Sequence, residues 1–157
     1  VDKFIEDNDP FVISVNLIPE IPCDRYFVSN QRRISSMVIT DESRLMLTSN
    51  VRYKCSQQVT VFDYSDLLNH RRYIYDNAGL MLINLLISLE VSEIYLAGFD
   101  GFSTNQLDNY MNSAQMGAVE REHQQHVNTA IEAQLLEYSE HVQIRLVTSS
   151  KYNLTKV

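Results

Sequence analysis

Six apolar runs in this chain end on small polar or acidic residues: Ile13-Ser14-Val15-Asn16, Phe27-Val28-Ser29-Asn30, Leu47-Thr48-Ser49-Asn50, Val61-Phe62-Asp63-Tyr64, Leu96-Ala97-Gly98-Phe99-Asp100 and Leu146-Val147-Thr148-Ser149-Ser150. In an open, mainly parallel sheet the ligand crevice lies beyond the carboxyl ends of the strands, so polar residues there are the material of a small-molecule site. The same residue types are good helix caps and turn formers, because their side chains accept bonds from orphan backbone amides. Capping is the simpler explanation at any single position, whereas repetition across the runs argues for a common polar edge. The expectation is a shared rim on which Asn16, Asn30, Asn50 and Asp100 gather.

The spacing predicts a helix tail over 2–8 ahead of Pro10, strands over 11–16 and 25–29, and a short helix or turn over 31–36. Residues 37–40 and 45–48 read either as successive strands or as one strand preceded by a helical turn, and 59–62 as a further strand. A helical turn follows over 65–69. Asp76 is the expected cap of a helix over 78–89, apolar almost all round as for a helix enclosed by the protein. A strand over 93–97 comes at once after it, the helix-then-strand order of α/β proteins. Residues 106–117 read as a mobile loop. A long helix over 118–139 carries Val119, Val127, Ala130, Ile131, Leu135 and Tyr138 at three- and four-residue intervals, and 142–147 reads as the last strand.

With 157 residues, 45% of them hydrophobic, the chain suffices for one core, and a single domain over 1–157 is expected. The predicted architecture is α/β: a three-layer Rossmann-like domain with a mostly parallel five- or six-stranded sheet. The apolar stretch over 78–89 falls short of the roughly 20 residues that span a bilayer, and no basic leader precedes an apolar signal core. The expectation is a cytoplasmic protein without membrane contact. A net charge of −7 opposes nucleic-acid phosphates, so nucleic acid is not an expected partner. The pairs Arg32-Arg33 and Arg71-Arg72 read as solvated surface arginines, with capture of one phosphate or carboxylate as the alternative. Cys23 and Cys55 lack metal-type spacing and read as reduced thiols.

The weak catalytic candidates are Asp100, His123 and His126. The two histidines lie three apart on the long helix near Glu120 and Glu122, a metal- or base-like pattern. A pair without further ligands does not close a zinc shell, and His123 falls on the expected buried stripe, so no metal site is assigned. Asp100, with Gly98 and Gly101 around it, suits either a ligand contact or a capped turn. Asn77 and Gly79 open the buried helix, whose free amides favour anions. The ligand-binding candidates are therefore Asn16, Ser29, Asn30, Asn50, Asn77, Gly79, Gly98 and Asp100. Neither dinucleotide nor P-loop glycine spacing occurs, nor a nucleophile elbow, which disfavours those chemistries.

Taken together, the runs 11–16, 25–33 and 47–50 and the block from Asp76-Asn77-Ala78-Gly79-Leu80-Met81 to Tyr95-Leu96-Ala97-Gly98-Phe99-Asp100-Gly101-Phe102 resemble a known arrangement. It is similar to the carboxy-terminal domain of bacterial putative aldolases of the 4-hydroxy-2-oxovalerate aldolase or HMG-CoA lyase-like type. The resemblance implies that carbon–carbon lyase chemistry and its divalent metal belong to a barrel outside this sequence. This chain is then an accessory domain with no cofactor of its own, binding a small nucleotide-like or anionic ligand or mediating assembly, including homo-oligomer formation. Such domains open with a strand and a short Gly-containing loop that this sequence lacks, as expected of a fragment. A more distant resemblance, to Rossmann-like bacterial sialyltransferases, implies a nucleotide-sugar-dependent enzyme with Asn30 at the nucleotide and His123 or His126 as base. A third expectation is a purely structural oligomerisation module.

Overall fold

A computed structural model describes residues 1–102 and 121–156. The expected loop over 106–117 and the start of the long helix at 118 lie outside the described residues. The protein is α/β, and within the described residues every paired strand is parallel. Its strands form two sheets, β1-β2-β3-β4 and β5-β6-β7, rather than one sheet of five or six. The chain divides into two compact units: residues 1–68 with 76–85, and residues 69–75 with 86–157.

In the first unit, α1 (Asp2–Asn8) ends at Asp9, whose backbone turns left-handed at φ 44° before Pro10. The sheet follows with β1 (Ile13–Val15), β2 (Arg25–Val28), β3 (Leu45–Thr48) and β4 (Thr60–Phe62), laid down in chain order. Parallel strands commonly need a helical crossover. Here residues 16–24, between β1 and β2, contain none. Their loop is tied back instead: the Asp24 carboxylate accepts from the Val12 amide at 2.7 Å, and the Val12 carbonyl accepts from the Asp24 amide at 2.8 Å.

Of the two readings of 37–48, the strand preceded by a helical turn is the one found, a 3-10 turn over Glu42–Arg44 running into β3. Alternation along the strands then divides the burial. Val28, Leu45 and Leu47 pack with Ile34 and Val51 on one face, while Phe27 and Thr48 are fully enclosed. Each aliphatic side chain buried this way contributes roughly 1.5–3 kcal/mol. The short helices α2 (Gln31–Ile34) and α3 (Tyr64–Leu67) are capped by Asn30 and Asp63. The apolar helix α4 (Ala78–Ser88) starts one residue later than a cap at Asp76 requires, because the Asn77 Oδ1 accepts the Leu80 amide at 3.1 Å. Leu80, Met81, Leu82 and Ile83 are all buried, so α4 is enclosed on successive sides.

The second unit holds β5 (Glu93–Leu96), α5 (Arg121–Tyr138), β6 (Gln143–Leu146) and a short β7 (Thr155–Lys156) that lies beyond the expected last strand. Along α5 the buried stripe is Gln124, Val127, Ile131, Gln134, Leu135 and Tyr138. His123 is exposed, contrary to its expected place on that stripe, and so is His126. Polar Gln124 occupies the inward position one residue after His123.

The segment 69–75 is closed on itself, the Asn69 amide meeting the Tyr75 carbonyl at 2.9 Å. Asn69, only 2% exposed, donates through Nδ2 to the Ile74 carbonyl at 3.0 Å and accepts from the Tyr138 hydroxyl at 3.1 Å. Burial, aided by the Glu137 charge, pushes the Tyr138 hydroxyl up to about 12. An unfolded tyrosine ionises near pH 10. The folded state therefore favours the neutral phenol, and its contribution is whole below about pH 10 and lost as pH climbs toward about 12.

Urea titrations across that window should show a falling midpoint, and Tyr138→Phe should flatten the fall. Asn69→Ala, which strands the Ile74 carbonyl and the Tyr138 hydroxyl, should lower stability by about 1–3 kcal/mol at neutral pH. An unchanged midpoint in that variant would show that the closed segment contributes nothing to the fold.

Candidate functional site

The carboxyl edge of the first sheet is a chain of side-chain bridges. Asn16, left-handed at φ 57°, gives its amide to the Phe27 carbonyl at 2.8 Å and accepts the Ser29 amide on Oδ1 at 3.0 Å. The Ser29 carbonyl accepts from Asn50 Nδ2 at 3.1 Å, and Asn50 Oδ1 accepts from the Thr48 hydroxyl at 2.6 Å. Beyond β3, Ser49 gives its amide to the Phe62 carbonyl at 2.8 Å and accepts the Tyr64 amide on Oγ at 3.0 Å. Side chains thus extend the parallel pairing past the last ladder bond.

Asn16, Ser29 and Asn50 are accordingly brought together. Asn30 lies on the same edge with its Oδ1 accepting from the Arg32 and Arg33 amides at 2.9 and 3.3 Å, a capping role. Asn77 is likewise engaged as a cap, and Gly79 lies inside the first turn of α4. Beside Asn16 opens a cleft of about 400 Å³ lined by Asn16, Leu17, Ile18, Arg33, Ser36, Met37 and Val38. Arg33 is the charged member of that lining. Sequence reading pointed to Asn16 but not to the apolar lip, since Leu17 and Val38 resemble core residues until their 50% and 82% exposure is seen.

Asp100 and Gly98 belong to the second unit, at the carboxyl ends of β5 and β6. The Thr148 hydroxyl joins these ends, accepting the Gly98 amide at 3.0 Å and donating to Asp100 Oδ1 at 3.0 Å. The Lys151 amide donates to the Asp100 carbonyl at 3.1 Å, and the Ser150 hydroxyl donates to the Phe99 carbonyl. From α5, Asn128 clasps the backbone of Phe102, accepting its N–H at 2.8 Å and donating to its carbonyl at 2.9 Å. The buried Tyr152 hydroxyl reaches Asn128 Oδ1 at 3.2 Å, and its ionisation is pushed well up by burial and by the charges of Glu132 and Asp100.

Two glycines make this turn. Gly98 at φ 78° and Gly101 at φ 84° adopt left-handed backbone that side-chain-bearing residues rarely take. A Cβ at Gly101 would stand 3.3 Å from the Lys151 Cβ, whereas one at Gly98 would meet nothing within 4 Å. The open side of the turn is therefore at Gly98. Asn128 escaped sequence reading, although a polar residue one turn beyond Gln124 on the inward side of an amphipathic helix was a usable signal. Among the described residues no group of three or more His, Cys, Asp or Glu side chains converges as metal ligands would. His123 and His126 instead flank Tyr73, their ring centroids each 5.2 Å from its own.

No family model, curated protein or solved structure matches this chain.

Thr148→Val removes both the acceptor for Gly98 and the donor to Asp100. Hydrogen exchange at the Gly98 amide should accelerate at least about tenfold and stability should drop by about 1 kcal/mol, with Thr148→Ser near wild type. Equal Gly98 exchange in Val and Ser variants would remove Thr148 from the turn's support.

Proposed function

We propose that the chain is a small-molecule-binding α/β domain, Rossmann-like in kind, that takes an anionic ligand with an apolar portion at the cleft beside Asn16. The observation that carries this reading is the lining itself: one guanidinium from Arg33 among Leu17, Ile18, Met37 and Val38, with polar Asn16 and Ser36. Pockets of this kind fix orientation through a few polar groups and draw affinity from apolar contact. A carboxylate or phosphate directed at Arg33 gains charge-assisted hydrogen bonds. The resemblance of runs 11–16 and 25–33 to the carboxy-terminal domain of bacterial aldolases supplies the setting. The domain then serves a barrel that holds the metal and performs the carbon–carbon cleavage.

The test is thermal denaturation with CMP, UDP and short-chain 2-oxo acids at millimolar concentration. A ligand held at about 100 times its Kd adds about 2.7 kcal/mol to stability. At least one of these compounds should raise Tm. Arg33→Gln should abolish the rise, and so should Asn16→Asp, which keeps the Oδ1 acceptor but adds negative charge to the cleft. A rise that survives both variants moves the site elsewhere.

A second reading, self-association, is favoured by the exposure of the same lip, Val38 above all. Sedimentation separates the two. A concentration-dependent dimer lost in Val38→Glu, with no ligand-induced rise in Tm, makes the lip an assembly surface.

A further inference from the structure

We propose a second binding site, for a phosphate-bearing small molecule, formed by Arg72 and His123 around the ring of Tyr73 in the second unit. Its geometry starts with backbone strain. Tyr73 sits at φ 74°, a left-handed conformation that costs a bulky residue about 1–3 kcal/mol and persists only where the surroundings over-determine it. Here the ring is fixed by α5. It stacks on His126 with 5.2 Å between centroids and 9° between planes, and meets His123 nearly edge-on at 5.2 Å and 87°. The Arg72 guanidinium lies over the same ring, 5.0 Å from its centroid. The contact holds the Arg72 guanidinium against the ring, and a side chain already held loses less freedom on binding.

The neighbouring charges favour an anion. Arg71 engages Glu137 at 2.6 Å, which takes that arginine out of competition and pairs that carboxylate. Glu132, further along α5, is turned to Asn153 at 2.8 Å. Arg72 enters no ion pair among the described residues. Its neighbours within 69–75 are His70, Arg71 and Tyr73, none of them acidic.

The ligand class follows from the donors. One carboxylate is satisfied by a single guanidinium fork, whereas a phosphate offers three acceptor oxygens and a second ionisation near pH 6. A histidine ring N–H donates to such an oxygen as well. Arg72 and His123, presented by two different elements, address separate oxygens of that group.

Calorimetry with inorganic pyrophosphate and with UDP, together with NMR of the histidine side chains, tests the site. The expected result is saturable binding that shifts the His123 ring resonances. Arg72→Gln and His123→Gln should each weaken binding about tenfold or more, and His141→Gln should leave it unchanged. Should Arg72→Gln fail to fold, His123→Gln, altered at an exposed position, carries the decision. Pyrophosphate and UDP binding alike assigns the site to the phosphate group, while binding of UDP alone adds the nucleoside. Absence of saturable binding, or binding indifferent to both variants, overturns the proposal. Because Arg33→Gln leaves these residues intact, it should not affect this binding, which separates failure here from failure at the cleft.

Discussion

The first sheet depends on how the ends of its parallel strands are satisfied. A strand that stops leaves backbone amides and carbonyls facing whatever follows, and each buried one left unmade costs as much as a lost hydrogen bond. With no helix in 16–24, the first crossover has no helical amides to offer. Asn16 meets both demands of the position. Asparagine tolerates the left-handed backbone that turns the chain, and its Oδ1 reaches the Ser29 amide of the next strand. Glycine would supply the turn without the acceptor, and serine would lack both the reach and the conformational tolerance. Asn50 performs the reverse task from the other side, giving Nδ2 to the Ser29 carbonyl, so Ser29 is held at both ends of its peptide units.

This division of labour explains what could be read in the sequence and what could not. The apolar runs and their polar ends were legible because strand alternation and the preference of Asn, Ser and Asp for termini are local properties. Most elements therefore fell near their expected positions. The partition into two sheets was not legible, since strand partners are chosen by register and distance along the fold rather than by composition. The two-residue strand β7 carries too few residues for any period to show. The cap of α4 moved from Asp76 to Asn77 because both residue types cap well and a difference of one position rests on backbone geometry.

The candidate site was legible in kind and not in detail. Asn16, Ser29 and Asn50 do meet, yet much of their hydrogen-bonding capacity serves the sheet, which is the capping alternative in another form. Asp100 similarly receives the Thr148 hydroxyl within a turn that Asn128 clasps from α5. Those partners lie 48 and 26 residues from the groups they hold, beyond any local pattern. His123 was placed inward by counting from Val119 and Val127, with His126 toward the margin, and the structure gives the inward place to Gln124. A stripe defined by apolar residues alone misses the polar member that a buried helix face can carry, here Gln124 with its Oε1 buried and without a hydrogen-bond partner among the described residues.

The choice of neutral groups at the strand ends bears on what the protein can hold. Carboxylates would satisfy the same backbone amides with stronger, charge-assisted bonds, and the chain has 20 acidic residues to draw on. Yet the residues that bridge β1, β2 and β3 are Asn16, Ser29, Thr48 and Asn50, amides and hydroxyls without exception. A carboxylate half removed from water demands a compensating cation and repels any anion that approaches, whereas an amide costs less to desolvate and offers donor and acceptor together. In a protein with a net charge of −7, the bridges between β1, β2 and β3 carry no carboxylate, and Arg33 lines the cleft beside Asn16. The side chains that close the sheet thus add no negative charge to the edge beside that cleft, so closing the sheet and binding the proposed anion would place compatible demands on one row of residues.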